Sequence, residues 1–194
     1  GGKGRLGMGT KDEDIVEQLF VANTHDYLLF FTNKGQVFRK IVFELPQAGP
    51  TGRGKAVINM LPLREGESIC ACLNVPKEAE NKYIFLCTEG GVAKKTPMLD
   101  CAKIRVSGLR VITLDEGDSV ISVQLTDGEH ELFFATRDGM GLRVHEKTLR
   151  PMGRQARGVR GVKLRKGDRV VSALALSGSG ELLTVTEGGY GKKT

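Results

Sequence analysis

The stretch Cys87–Thr96 reads CTEGGVAKKT, and Thr184–Thr194 reads TVTEGGYGKKT, so a threonine, a glycine turn and a lysine pair are written twice. The common skeleton is an apolar run, then T-x-x-G, then basic residues. It occurs four times: YLLFFTNKGQVFRK, YIFLCTEGGVAKK, ELFFATRDGMGLR and ELLTVTEGGYGKK. Thr32, Thr88, Thr136 and Thr186 anchor the copies at spacings of 56, 48 and 50 residues, with Gly35, Gly91, Gly139 and Gly189 each three residues later. Such a period indicates a repeat architecture, closest to the roughly 40–50 residues of a propeller blade. Helical repeats would carry a 3.6-residue apolar period, which these segments lack.

Each period reads as four strands. The first is glycine-rich with basic and apolar residues interleaved, as in GKAVINML from Gly54, SGLRVITL from Ser107 and GVRGVKL from Gly158. The second follows an acidic turn: DIVEQLFV, SICACLNV, SVISVQL and RVVSALAL place Ile15, Ile69, Val120 and Val170 in equivalent positions. The third, ahead of each threonine, is apolar almost throughout, which suits a strand covered on both faces. A turn requiring positive φ accounts for the recurring glycine, because a Cβ would clash there. The fourth strand carries the basic residues. The fold class is therefore all-β, a propeller-like array of about four four-stranded blades. Its repeats run over approximately 1–45, 46–100, 101–150 and 151–194.

Composition supports this reading. The 26 glycines among 194 residues are about twice the usual share of roughly 7%, as many tight turns require. Apolar residues make up 40% and charged residues 27%, enough for a folded core, and no apolar run approaches the roughly 20 residues that cross a bilayer. No membrane partner and a cytoplasmic location are expected. Cys70 and Cys72 form C-x-C, and Cys87 and Cys101 have no neighbouring histidine, so buried thiols rather than a metal site are expected. GKGRLG, Gly2–Gly7, matches G-x-G-x-x-G without the strand and helix a dinucleotide needs, and GGYGKKT lacks the Ser or Thr of a phosphate-binding loop after Lys192. His25, His130 and His145 have no repeated nucleophile beside them and are expected at the surface. Tyr27 and Tyr83 hold equivalent strand positions and read as structural. No catalytic residue is assigned.

The charges sort by position. The turn between first and second strands carries Asp12, Glu13 and Asp14; Glu65 and Glu67; Asp115, Glu116 and Asp118; and Asp168. In an antiparallel meander the opposite blade end collects Arg39, Lys40, Arg53 and Lys55; Lys94, Lys95, Lys103, Arg105 and Arg110; Arg143, Arg150, Arg154, Arg157, Arg160 and Lys163; then Lys192 and Lys193. The net charge of +6 is modest, but four basic copies in register make a stripe suited to a polyanion that bends along it. All of these cations except Lys103 and Arg150, together with Lys3 and Arg5, are the candidate DNA contacts. Duplex DNA is the expected partner, with a log–log salt slope on the order of −7 for about eight phosphates. Weak sequence preference is expected, since no element resembles a recognition helix and the aromatics lie within apolar runs.

The opening residues Gly1, Gly2, Lys3 and Gly4, followed by RLGMGTKDEDIVEQLFVANTHDYLLFFTNKGQVFRK, resemble the start of the C-terminal domain of bacterial DNA gyrase A. They match the second half of its Gln-Arg-Arg-Gly-Gly-Arg/Lys-Gly box; GPTGRGKAV from Gly49 and QARGVRGVKL from Gln155 resemble weaker echoes. The resemblance covers the whole chain and implies a β-pinwheel whose blades exchange strands, so the simple meander can misassign strands to blades. It also implies duplex DNA wrapped around a basic perimeter so that strand passage introduces negative supercoils. Further implications are the rest of gyrase A and gyrase B as partners, a bacterial, nucleoid-associated setting, and no cofactor in this domain, with ATP, Mg and the cleaving tyrosine elsewhere in the enzyme. The Gln-Arg-Arg half would precede Gly1, and four repeats are visible where the family usually has six, so the chain reads as a fragment whose ring is not expected to close. The equivalent domain of topoisomerase IV is the alternative within the class, and a protein-binding propeller is the alternative outside it.

Overall fold

The computed structural model describes residues 27–41, 57–76 and 79–177, together with the backbone of 183–185 and 191–193. In chain order its strands are β1 (Tyr27–Thr32), β2 (Gln36–Ile41), β3 (Ile69–Val75), β4 (Tyr83–Thr88), β5 (Val92–Pro97), β6 (Leu109–Arg110), β7 (Val120–Thr126), β8 (Glu131–Thr136), β9 (Gly141–His145), β10 (Val159–Arg160), β11 (Val170–Leu176), β12 (Leu183–Val185) and β13 (Gly191–Lys193). Ile69, Val120 and Val170 thus open β3, β7 and β11, as their shared position in the repeat requires. The expected strand around Ile15 lies outside the described residues.

The T-x-x-G motif is a hairpin device. The amide of Gly35, Gly91 or Gly139 donates to the carbonyl of Thr32, Thr88 or Thr136 at 3.1 Å in each copy. The threonine hydroxyl then accepts the amide four residues on, from Gln36, Val92 and Met140, at 3.2, 3.1 and 3.1 Å. The glycines have φ of 82°, 87° and 89°, the left-handed residue that ends a three-residue hairpin loop with a bulge. Gly91 is doubly constrained, because a Cβ there would lie 2.7 Å from the Val162 carbonyl oxygen. The hairpin of Thr186 and Gly189 lies outside the described residues, although β12 and β13 on either side pair antiparallel.

Strand pairing replaces the simple meander with exchange between repeats, as the family resemblance implies. The sheets are β3-β1-β2-β6, β10-β5-β4-β7, β11-β8-β9 and β12-β13. Each of the first three hairpins receives the second strand of the next repeat beside its first member; the first two also receive the first strand of the repeat after that beside their second. Thus β3 pairs with β1 from Tyr27↔Val75 to Thr32↔Ile69, and β6 pairs with β2 through Gln36↔Arg110 and Val37↔Leu109. The physical reason is the acidic turn: it lies against the preceding hairpin loop, where the amides of Asn33 and Glu89 donate to the carbonyls of Ser68 and Ser119 at 3.0 and 2.8 Å. The next strand is thereby fed back along the earlier sheet. The first strands are short, and residues 57–60 are helical rather than extended. The Leu61 amide donates to the Ile58 carbonyl at 3.2 Å, and Val57 and Leu61 bury against Phe30 and Phe38.

The sheets stack face to face, which explains the continuous apolar runs. Leu29 and Phe31 of β1 join Ile84 and Leu86 of β4 in one core. Alternate residues point the other way: Leu28 and Phe30 enter a second core, while Phe85 and Cys87 meet Leu132 and Phe134 of β8 in a third. Along one side of the stack β7 touches both β3 and β11 directly, so the sheets converge there. On the opposite side the edge strands are β6, β10 and β9.

Candidate nucleic-acid interface

The two sides differ in chemistry. The converging strands ICACLNV, VISVQLT and VVSALAL contain no charged residue. The outer strands each present an exposed arginine: Arg110 on β6, Arg160 on β10 and Arg143 on β9. Arg105, Arg157 and Lys163, on the segments that flank β6 and β10, are also exposed, and Arg154 is half-buried. Arg39 on β2 is exposed and Lys40 half-buried. The sorting expected between the two ends of a blade therefore runs across the sheets instead, from an uncharged inner edge to a basic outer one.

Local packing brings the outer segments to this edge. Gly108 and Gly158, at φ of 89° and 87°, let the two segments lie flat on Phe38 and on Ala93 and Lys94. The amides of Val111 and Gly161 then donate to the carbonyls of Gly35 and Gly91, both at 2.9 Å. In these two copies the T-x-x-G glycine is thus the docking point for a basic segment from two repeats downstream.

Lys94 and Lys95 do not belong to the basic edge. They are only 1% and 5% exposed. Lys94 Nζ donates to the carbonyls of Val111 and Arg154, each at 2.6 Å. Burial lowers its pKa to about 8, partly offset by Cys101 and Asp100. Lys95 Nζ donates to Glu146 Oε1 at 3.4 Å and the Glu146 carbonyl at 3.2 Å, and lies 4.7 Å from the Tyr83 ring centroid. The position six after the four threonines is Phe38, Lys94, Leu142 and Lys192, two apolar residues and two lysines, so the repeat register carries no signal for this burial. Of the remaining candidates, Lys3, Arg5, Arg53 and Lys55 and the box residues Gly1, Gly2 and Gly4 lie outside the described residues. Lys192 and Lys193 pair through their backbone with Thr184 and Leu183.

Some exposed cations are partly neutralised. Arg143 Nε is 3.4 Å from Glu131 Oε2, and Arg157 is 3.3 Å from Asp115 Oδ1. Arg39 covers Tyr27, with Cζ 4.9 Å from the ring centroid. Several acids of the repeated acidic turn serve hairpin loops instead. Glu67 accepts from Thr32 Oγ1 at 2.8 Å, Asp118 Oδ1 from the Gly90 amide at 2.8 Å, and Asp168 Oδ1 from the Asp138 amide at 3.1 Å.

Other candidate chemistry resolves into packing. His130, expected at the surface, is half-buried: its Nδ1 lies 2.8 Å from Asp127 Oδ1 and 3.4 Å from Glu146 Oε2. These three residues bring donor atoms within 4.8 Å of one another, the one such grouping among the described residues. Glu146 already accepts from Thr126 Oγ1, the His130 amide and Lys95 at 3.0, 2.9 and 3.4 Å, so a cation there would displace existing partners. Cys72, Cys87 and Cys101 are buried, and burial pushes the Cys87 and Cys101 thiols up to about 12 and about 11. Tyr27 and Tyr83 open β1 and β4 with their rings under Arg39 and Lys95, a packing role.

The family described as DNA gyrase C-terminal domain, beta-propeller, matches residues 26–76, 82–127, 130–177 and 180–194. The gyrase A protein of Halalkalibacterium halodurans is 43% identical over 158 residues, covering 81% of this chain and 19% of that protein. Among solved structures, the C-terminal domain of DNA topoisomerase IV superposes with a TM-score of 0.79 at 35% identity, over 88% of this chain and 54% of that one. A DNA gyrase A C-terminal domain superposes with a TM-score of 0.68 at 26% identity, over 89% and 55% respectively. The chain thus spans about a fifth of the length of the Halalkalibacterium halodurans protein, 19%. Its repeats, their exchanged strands and the family match together place it: the chain belongs to the DNA gyrase C-terminal domain family.

Proposed function

We propose that this chain binds duplex DNA along its outer edge and bends it, as the wrapping module of a DNA gyrase, so that strand passage by the rest of the enzyme introduces negative supercoils. The observation that carries this reading is the division between uncharged β3, β7 and β11 and the arginine-bearing β6, β10 and β9. Repeated cations on a diverging edge favour a polyanion that curves around it, and smooth bending of a 20–30 base-pair stretch costs roughly 1–6 kcal/mol, which successive phosphate contacts offset. The chain has no turnover of its own in this reading; it works in the cytoplasm with the remainder of gyrase A and with gyrase B.

Seven of the candidate cations are exposed on or beside this edge: Arg39, Arg105, Arg110, Arg143, Arg157, Arg160 and Lys163. If they contact about seven phosphates, the log–log salt slope is on the order of −6. Gel shift of linear duplex at a series of salt concentrations tests binding, and relaxed circles treated with a nicking-closing enzyme test wrapping. Wrapping shifts topoisomers in one direction; salt-insensitive or absent binding overturns the reading. The likeness to a topoisomerase IV domain, TM-score 0.79, favours a second reading as the corresponding module of that enzyme. Binding with no net change in linking number would favour it.

A further inference from the structure

Lys94 occupies the position that the buried Phe38 fills in the preceding hairpin. Phe38 packs beneath Gly108, and Lys94 lies beneath Gly158 in the same relation. An apolar side chain would therefore satisfy the packing. Burying an ammonium costs desolvation that only its hydrogen bonds offset. Those bonds reach two different segments. Val111 belongs to the stretch that follows β6 on the first sheet, and Arg154 to the stretch that leads to β10 on the second, and each carbonyl accepts at 2.6 Å. A second stitch joins the same stretches: Thr113 Oγ1 donates to the Gln155 carbonyl at 2.6 Å and the Thr113 amide to the Ala156 carbonyl at 3.3 Å. Exposed arginines stand on both sides of these ties.

Resting on the DNA-binding reading above, we propose that Lys94 is a positioning residue for duplex DNA. Its ammonium holds the Arg105–Arg110 stretch at a set separation from the Arg154–Arg160 stretch, so that cations from successive repeats meet the phosphate backbone as one unit. Lys94 touches no phosphate; it removes the ordering cost that two independent segments would bear on binding.

The test measures affinity of the 194-residue chain for a linear duplex across salt concentrations, for wild type, Lys94→Met and Thr113→Val, with circular dichroism melts alongside. Positioning predicts that Lys94→Met binds about tenfold more weakly while its salt slope stays within about 0.5 of wild type, because the final phosphate contacts are the same. Thr113→Val, which keeps the lysine, weakens binding about threefold with the same slope. That variant carries the test if Lys94→Met does not fold. A slope smaller in magnitude by about 0.9 in Lys94→Met identifies a direct phosphate contact and overturns the proposal. Unchanged affinity in both folded variants overturns it as well, while leaving the DNA-binding reading intact. Failure of the wild type to bind overturns that reading and this inference together.

Discussion

Thr32 Oγ1 donates to Glu67 Oε2 at 2.8 Å across 35 residues of chain, so the first hairpin loop is locked to the acidic turn of the following repeat. The same hydroxyl accepts the Gln36 amide, and Glu67 Oε1 accepts the Arg64 amide at 3.1 Å. Thr32→Val keeps the shape but leaves a buried carboxylate oxygen without its donor. The expected loss is about 1–3 kcal/mol in urea unfolding with an unchanged m value. A loss below about 0.5 kcal/mol would show that water replaces the hydroxyl at Glu67.

Glycines with the same backbone sign separate in cost. Gly91→Ala meets both positive φ and the Val162 carbonyl oxygen at 2.7 Å, whereas Gly117→Ala at φ 77° has nothing within 4 Å. Gly117→Ala is expected to cost about 1–2 kcal/mol from backbone strain alone. Gly91→Ala should cost more, since the docked segment must move. Equal melting temperatures for the two variants would contradict the docking role of Gly91.

The pair Lys95–Glu146 is buried, with side chains 6% and 1% exposed. Lys95→Met leaves the buried Glu146 carboxylate short of its cation, and the expected destabilisation is about 3–5 kcal/mol. The double variant Lys95→Met/Glu146→Leu should recover a large part of that loss. A double-mutant cycle with no coupling would refute the pairing.

Lys94 makes stability depend on pH. Its folded pKa is lowered from 10.5 to about 8 by burial, with Cys101, Asp100 and Arg154 facing it. Between these values the unfolded chain holds a proton that the folded chain has released. Raising the pH through that window therefore stabilises the fold. The thiols of Cys87 and Cys101 act oppositely above 9, because their folded pKa values are raised to about 12 and about 11. From pH 8 to 9 the wild type should gain about 1 kcal/mol relative to Lys94→Met.

Arg110 and Arg160 stand at equivalent positions on successive outer strands. Arg110→Ala and Arg160→Ala should each weaken duplex binding and lower the magnitude of the salt slope by about 0.9, with little change in melting temperature. Substitutions that weaken binding with no change in slope would place these side chains away from phosphate.

Much of the fold is legible because the hairpin is local. Thr32, Thr88 and Thr136 close turns with glycines three residues away, and the apolar runs before them announce strands covered on two faces. Those features need only short-range sterics and hydrogen bonds, and they determine the strand type and the two-sided burial from residues alone. The path of the chain between hairpins was not legible, since Ile69 and Val120 begin strands that pair equally well, on sequence, with the hairpin before or after. Tertiary structure decided it through bonds such as Asn33 to Ser68, which fold each strand back onto the earlier sheet. It also decided the fate of Lys94 and Lys95, because burial depends on what the neighbouring repeat lays across a strand, and carbonyls or a carboxylate from that repeat offset much of the desolvation that a buried lysine bears.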